Sequence, residues 1–235
     1  MAYQSVFKRY ELKYMLTLEQ KEKILQEIKR YMELDKYGRT TIRNIYFDTD
    51  NYRLIRRSMD KPHYKEKLRI RSYCKVQKGS TVFVELKKKY DGVVYKRRIS
   101  MSEEEAISWV CMGNGCSKQN QISREIDYFM DFYGSLTPKV FLSYEREAYY
   151  CRDGGDLRIT FDDNILARTE ALSLEEDVFG TALLDKDKVL MEIKCSGGIP
   201  FWLARALSEN KIYKASFSKY GTAYEKIIYQ KNKGE

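Results

Sequence analysis

The sequence predicts an α+β fold in which about eight antiparallel strands form a tunnel or barrel with flanking helices. Segments that alternate between apolar and charged residues recur along the chain, and this period of two is typical of strands with two different faces. The 235 residues include 20 Tyr and 10 Phe but only 3 Pro, a composition that favours strands. All-β barrels of this length often form one domain, so we expect a single domain over residues 1–235.

The first elements are a strand and a helix. Residues 7–14 alternate, with Tyr10, Leu12 and Tyr14 on one face and charged residues on the other. Thr17 then precedes a segment with apolar residues at helical spacing. Thr17 and Gln20 have the spacing of a capping box, which predicts a helix that starts after Thr17.

The middle of the chain predicts three more strands and a helical cover. A strand at 41–48 and a short helix or turn at 48–59 precede strands at 64–73 and 81–90. Asp91-Gly92 then predicts a tight hairpin turn into 93–101, because this pair tolerates positive φ. Residues 102–132 are expected to be helical, with an interruption at Gly113–Gly115.

The last part predicts strands over 138–151, 156–167 and 188–197, with a turn at Gly154-Gly155 between the first two. Helices are expected over 200–210 and 221–231.

Charged residues spaced by two recur at the centres of at least five of these strands. The sets are Glu11 with Lys13; Lys67 with Arg69 and Arg71; Glu85 with Lys87 and Lys89; Arg158 with Thr160 and Asp162; and Glu192 with Lys194. Members of one set lie on one face of a strand. A single such face most often points to solvent. Their coincidence across strands favours a closed barrel with a charged interior, since closure removes the sheet edges.

The charge balance indicates an anionic partner. The net charge is +9, which by itself fits nucleic acid, an anionic membrane surface or a phosphate-rich small molecule. Interleaved glutamates are not needed on a nucleic-acid surface, so we expect no nucleic-acid partner. Glu11, Glu85 and Glu192 carry hard oxygen ligands of the kind that hold Mg²⁺ or Mn²⁺.

Other features exclude several classes. Five cysteines without CxxC spacing give neither a disulfide framework nor a thiolate zinc site. The N-terminal segment lacks the apolar core of a signal peptide and no stretch has 18 apolar residues, so we expect a cytoplasmic chain. There is no Walker motif. His63 is expected to be exposed, and at most one of Asp162 and Asp163 can enter the tunnel, because neighbours on a strand point to opposite faces.

The strand motifs together resemble a known family. RYELKY, KLRIRSY, VFVELKKK, SYEREAYY, RITFDDN, LMEIK and SFSKY occur in this order over residues 7–224. They resemble the vacuolar transporter chaperone (VTC) domain of the triphosphate tunnel metalloenzyme superfamily. The resemblance implies a polyphosphate polymerase that needs a divalent metal. Arg9 stands where the wider superfamily has a first glutamate, a departure that favours a transferase over a two-metal hydrolase.

The resemblance also implies roles for particular residues. The phosphate-contacting, catalytic set is Lys13, Arg69, Arg71, Lys87, Arg146, Arg158 and Lys219. Further substrate-binding residues are Lys67, Lys89, Lys194 and Ser218. Glu192 is the principal metal ligand, with Glu11 and Glu85 as additional ligands for Mn²⁺ or Mg²⁺.

We therefore predict an enzyme that transfers the γ-phosphoryl group of ATP to a growing polyphosphate chain. This chemistry requires mainly positioning and charge neutralisation, which arginine, lysine and a metal provide. Two alternatives stay open: a metal-dependent tripolyphosphatase or nucleoside triphosphatase, and a non-catalytic polyphosphate-binding module. The expected partners are ATP and inorganic polyphosphate. The sequence leaves a membrane-protein partner and the oligomeric state open.

Overall fold

The computed structural model describes residues 10–230. Its strands are β1 (Tyr10–Thr17), β2 (Met32–Leu34), β3 (Thr40–Asp48), β4 (Tyr64–Tyr73), β5 (Thr81–Tyr90), β6 (Val93–Ser102), β7 (Thr137–Cys151), β8 (Arg158–Arg168), β9 (Thr181–Ala182) and β10 (Lys188–Cys195). Its helices are α1 (Leu18–Tyr31), α2 (Arg53–Met59), α3 (Glu103–Met112), α4 (Gln121–Tyr133), α5 (Phe201–Glu209) and α6 (Lys219–Ala223), and α6 continues into a π-helical turn, Tyr224–Tyr229.

One antiparallel sheet forms the body of the fold. Its strand order is β1-β10-β8-β7-β3-β4-β5-β6, with β2 paired to β7 and β9 paired to β8. The sheet curls so far that Lys87 on β5 reaches Glu11 on β1, with 2.9 Å between Nζ and Oε2. The predicted α+β fold with about eight antiparallel strands around a tunnel is confirmed.

Helices cover the outer face of the curled sheet. The outer side chains of β3 to β6 pack against α3 and α4, where Trp109 and Phe129 are buried. The outer side chains of β1, β7, β8 and β10 pack against α1 and α5, where Ile28 and Leu203 are buried. Apolar burial on the outside therefore stabilises the curl and leaves the inner face free for polar side chains.

The inner face is divided into two parts. At one end, inward side chains of β3, β7 and β8 pack against Tyr220, Tyr224 and Ile228 from α6 and the π-helical turn, so the C-terminal helix fills this end with an apolar core. The rest of the inner face carries charged side chains, and we call this space the lumen. The position of the C-terminal helix thus sets where the lumen ends.

Local sequence signals explain several element boundaries. The predicted capping box is present: Gln20 N donates to Thr17 Oγ1 and Thr17 N donates to Gln20 Oε1. Asp91 and Gly92 have φ of 43° and 83°, as the hairpin turn requires. Gly113 ends α3 with a φ of 71°. Residues 7–9 of the predicted first strand lie outside the described residues.

Within residues 10–230, no helix has the length and apolar character needed to span a membrane.

Candidate functional site

Strands β4 and β5 place their charged residues on the same side of the sheet. Lys67 is opposite Lys87 and Arg69 is opposite Glu85 in the register of the two strands. Because directly opposed residues in an antiparallel pair share a face, these four side chains all project into the lumen. Their spacing of two in the sequence therefore corresponds to a shared inner surface.

Glu85 is the centre of one charged cluster. Its carboxylate is fully buried, and Arg69 Nη2, Lys96 Nζ and Arg98 Nε lie 2.7, 2.6 and 2.7 Å from its oxygens. Arg71 Nε lies 3.9 Å away. Burial raises the pKa of Glu85, but the surrounding cations, Arg69 first among them, outweigh it and hold the pKa well below its usual value. We call these five residues the Glu85 cluster.

Three polar side chains of β3 and β7 fix the arginines of this cluster. Arg69 Nη1 donates to Tyr46 Oη at 2.8 Å, and Arg71 Nη2 donates to Tyr144 Oη at 2.9 Å. Arg71 Nε also donates to Asn44 Oδ1 at 2.9 Å. The guanidinium groups are therefore held in place before any ligand binds.

Glu192 belongs to a second cluster, in which carboxylates share cations. Lys219 Nζ lies 2.5 Å from Asp162 Oδ2 and 3.3 Å from Glu192 Oε1. Arg146 also contacts both carboxylates, at 2.5 Å and 3.4 Å. We call the following residues the Glu192 cluster: Glu11, Lys13, Lys87, Arg146, Asp162, Glu192, Lys194 and Lys219.

Glu11 extends this cluster towards β5. Lys13 Nζ lies 3.5 Å from Glu11 Oε1 and 3.6 Å from Glu192 Oε1, and Lys194 Nζ lies 3.2 Å from Glu192 Oε2. Burial raises the pKa of Glu11, but Lys87 and the other ammonium groups lower it by more. Burial likewise opposes ionisation of Glu192, but Lys219 and its neighbours keep its pKa well below the usual value. Both carboxylates are therefore ionised near neutral pH.

Several lysines of the lumen have lowered pKa values, among them Lys96, for which burial lowers the pKa well below its usual value in spite of Glu85. Burial, together with the nearby charges of Lys13 and Lys87, lowers the pKa of Lys67 to about 7. Lys67 donates to Ser218 Oγ at 3.1 Å, at the start of α6. Burial lowers the pKa of Lys194 to about 8, in spite of Glu192 and Glu11 nearby. An anion in the lumen would favour the charged form of Lys67 and Lys194.

Two buried polar atoms at the β8 wall have no hydrogen-bond partner among the described residues. They are Arg158 Nε and Thr160 Oγ1. Thr160 is directly opposite Glu192, and Arg158 is opposite Lys194. Buried polar groups without partners are costly, so such atoms call for a ligand or water. The β8 wall is therefore open to a polar ligand beside Glu192.

The structure places the inward-predicted strand residues on the lumen side and Lys219 and Ser218 at the edge of the lumen. It does not bring the three predicted metal carboxylates together, because Glu85 lies in one cluster and Glu11 and Glu192 lie in the other. Lys89 is opposite Lys65 on the inner face, two residues along the strands from the pair of Lys67 and Lys87.

Sequence analysis missed two residues of these clusters, Lys96 and Arg98 on β6, and it placed Asp162 on the charged face without assigning it a role in the site. Lys96 and Arg98 are spaced by two, but Arg97 between them hides the alternation. Arg97 points outward and contacts Glu125 of α4 at 2.9 Å. A two-residue count along β6 would have found the inward pair.

Two minor expectations are confirmed. Asp162 enters the lumen, whereas Asp163 pairs with Arg39 outside it. The side chain of His63 is 92% exposed.

A divalent metal fits the Glu192 cluster better than the Glu85 cluster. No three acidic, His or Cys side chains converge on one point in the part of the chain that is described. Glu11, Glu192 and the unpartnered Thr160 hydroxyl nevertheless supply hard oxygens beside lysine and arginine side chains. Glu85 instead has a cation within 3 Å at both oxygens. Glu11 and Glu192 are thus the residues that would hold the metal.

Comparisons with known proteins agree with this architecture. The model of the VTC domain family matches residues 8–228. No curated protein sequence matches the chain. Among solved structures, a provisionally assigned adenylate cyclase from Bacillus halodurans is 15% identical, with a TM-score of 0.57 and coverage of 92% of this chain and 96% of that one. A provisionally assigned adenylyl cyclase from Hippeastrum, in which triphosphatase activity is dominant, is 17% identical, with a TM-score of 0.52 and coverage of 90% and 93%. These likenesses concern the fold.

Proposed function

Because this chain belongs to the VTC domain family, we propose that it is a polyphosphate polymerase that transfers the γ-phosphoryl group of ATP to a polyphosphate chain in the lumen. The observation that carries the proposal is the excess of cations along the inner face, combined with the unpartnered Arg158 and Thr160 atoms at the β8 wall. Buried cations in excess of carboxylates are costly unless an anion offsets their charge. A chain of phosphates supplies that charge.

The two clusters have different tasks in this proposal. Arg69 and Arg71, fixed by Glu85, Tyr46 and Asn44, present their remaining N–H groups to phosphate oxygens. Preorganised donors of this kind stabilise charge on a transferring phosphoryl group without reorganisation during the reaction. The Glu85 cluster is thus proposed to bind and orient phosphate.

The Glu192 cluster is proposed to hold the metal. Glu192 and Glu11 would supply its protein ligands, and Mn²⁺ and Mg²⁺ are the candidate ions. When bound, such an ion neutralises charge on phosphate oxygens. Lys13 and Lys219 lie beside these carboxylates and would add positive charge next to a bound phosphate group. The family implies a divalent metal, whereas the choice of ion is part of the proposal.

The second candidate function is a triphosphatase, which the dominant activity of the Hippeastrum protein favours. It would use the same lumen with water as the acceptor, since phosphoryl transfer makes the same electrostatic demands in both reactions. The two functions differ only in what lies in line with the γ-phosphorus when the bond breaks.

Product analysis separates the two functions. The purified protein is incubated with ATP labelled in the γ-phosphate and with Mn²⁺ or Mg²⁺, and the labelled products are sized by electrophoresis. Label in chains longer than triphosphate supports the polymerase, and label only in orthophosphate supports the triphosphatase. Chelation of the metal should abolish both products. A protein that binds polyphosphate but forms neither product would contradict both enzymatic proposals.

A further inference from the structure

Helix α2 presents a row of arginines on a surface outside the lumen. Arg53, Arg56 and Arg57 have the spacing of one helix face and are exposed, whereas Leu54 and Ile55 on the opposite face are buried. This row lies outside the lumen, because α2 connects strands β3 and β4 at the end that α6 fills.

The arginines line one wall of a cleft of about 620 Å³. Tyr224, Glu225 and Tyr229 of the π-helical turn form the opposite wall, and Asn51, Met59 and Asp60 complete the lining. A cleft of this size suits a small organic ligand. π-Helical turns are rare and occur frequently at functional sites.

The three arginines differ from those surface arginines that form ion pairs within their own helix. Arg30 and Arg205 each contact a glutamate on their own helix, at 3.2 and 2.7 Å. Arg53, Arg56 and Arg57 form no ion pair with any residue in the range 10–230, although Asp60 and Glu225 line the same cleft. Arg56 Nη1 donates to Asn51 O at 3.5 Å and the Arg53 guanidinium lies over the ring of Tyr133, and these contacts leave most of the donor capacity of the three side chains available.

We propose that this cleft binds a phosphate-bearing ligand, at a site separate from the lumen. Guanidinium groups match phosphate oxygens in geometry and charge, and a row on consecutive turns can hold two phosphoryl groups in succession. Asp60 and Glu225 restrict the anionic part of the ligand to the α2 wall, because they repel anions from the rest of the cleft. The bound groups can come from a nucleotide or from an inorganic phosphate chain.

The cleft is connected to the lumen through α6. Asp48 accepts hydrogen bonds from the backbone N–H groups of Leu54 and Ile55 in α2 and from Tyr220 Oη in α6. Lys219, the preceding residue, contacts Asp162 and Glu192 in the lumen. A ligand held by α2 is therefore linked to the Glu192 cluster through Asp48, Tyr220 and Lys219.

The test is the number of binding sites per chain, measured by equilibrium binding of tripolyphosphate and, in a separate arm, of ADP. The test variant is Arg53→Gln/Arg56→Gln/Arg57→Gln. The matched control is Arg30→Gln/Arg124→Gln/Arg205→Gln, which removes the same charge from exposed positions on α1, α4 and α5. Both variants alter exposed side chains, and their melting temperatures verify that they fold as the unmodified protein does.

We expect the unmodified protein and the control to bind two ligands per chain, and the test variant to lose one site or bind it at least about tenfold more weakly, a difference of about 1.4 kcal/mol. Whichever of tripolyphosphate and ADP binds the second site more tightly identifies the source of the phosphate group. Equal numbers and affinities in all three proteins would overturn the proposal. An equal loss in both variants would also overturn it, because it would reflect net charge alone. An Arg71→Ala protein tests the lumen site separately. If that variant loses the lumen site, the α2 variant and its control can still be compared at the cleft.

Discussion

The Glu85 cluster and the Glu192 cluster share one lumen but are built differently. Arg69, Lys96 and Arg98 have Glu85 as their only carboxylate partner among the described residues, whereas Lys13, Arg146 and Lys219 each contact two carboxylates of the Glu192 cluster. Removing one carboxylate therefore has different consequences in the two clusters. The first has no substitute for its counter-ion, and the second can redistribute its contacts.

This difference indicates a division between structure and chemistry. A fully buried carboxylate surrounded by cations holds those cations in place and has little freedom to bind anything else. Carboxylates that share cations can exchange one of them for a metal ion, because Lys219, when displaced from Glu192, keeps its contact with Asp162. The Glu85 cluster is thus suited to a fixed phosphate cradle and the Glu192 cluster to a metal centre.

The largest effect on stability is expected for Glu85→Gln. The change leaves several buried cations without a counter-ion, and breaking a buried ion pair in this way costs about 3–5 kcal/mol. Chemical denaturation of the ligand-free protein measures this loss. We expect tripolyphosphate to restore part of it, since the phosphate replaces the missing negative charge. A loss below about 1 kcal/mol would contradict the structural role of Glu85.

Glu192→Gln should affect catalysis more than stability. Asp162 and Glu11 still contact Lys219, Arg146 and Lys13 in this variant, so we expect a smaller loss of stability than for Glu85→Gln. Turnover of ATP with Mn²⁺ should fall by about 10²–10³ or more, as for the loss of one preformed electrostatic contact. Binding of a non-hydrolysable ATP analogue should be largely preserved. Undiminished turnover would place the metal elsewhere.

A smaller effect is expected for Arg71→Ala. Arg71 is held by Asn44 and Tyr144, so its removal deletes the proposed preformed contact to phosphate but leaves Glu85 with Arg69, Lys96 and Arg98. Charge-assisted hydrogen bonds contribute about 1.5–3 kcal/mol, which corresponds to roughly 10- to 150-fold weaker binding. Isothermal titration calorimetry with the ATP analogue measures this loss of affinity. Unlike Glu192→Gln, this variant should lose binding and turnover together.

The smallest effect is a dependence of phosphate binding on pH. Lys67 has a pKa of about 7 and Lys194 a pKa of about 8, so both lose their positive charge as the pH rises from 6 to 9. Each loss should weaken binding of tripolyphosphate by up to about tenfold. Lys67→Met should remove the step near pH 7 and retain the step near pH 8. Titration of tripolyphosphate itself affects the unmodified protein and Lys67→Met equally. Identical plots of affinity against pH for the two proteins would contradict the assignment of the step near pH 7 to Lys67.

The sequence predicted the strands best where alternation is regular. On β4 and β5, apolar and charged residues alternate cleanly, and the shared face of Arg69 and Lys87 follows from a count of two. On β6, three consecutive basic residues conceal which of them point inward, so Lys96 and Arg98 were missed. A count of two back from the apolar Ile99 and Met101 places Arg97 on the outer face, and its contact with Glu125 of α4 agrees with that count.

The grouping of the carboxylates could not be predicted from spacing. Glu11, Glu85 and Glu192 occur in similar strand contexts, yet β1 pairs with β10, whereas β5 is next to last in the strand order and approaches β1 at Lys87, two residues beyond Glu85. Whether carboxylates meet depends on register between strands that are far apart in the sequence. The position of the C-terminal helix, which brings Lys219 to Asp162 and Glu192, is likewise a tertiary feature.

The most direct test of this division is the location of manganese in crystals grown with Mn²⁺ and a non-hydrolysable ATP analogue. Anomalous scattering identifies the ion without reference to the protein chain. We predict a peak next to Glu192 and Glu11, with the phosphate chain of the analogue beside Arg69 and Arg71, and no peak at Glu85. A manganese ion bound to Glu85, or an analogue bound only outside the lumen, would contradict the account.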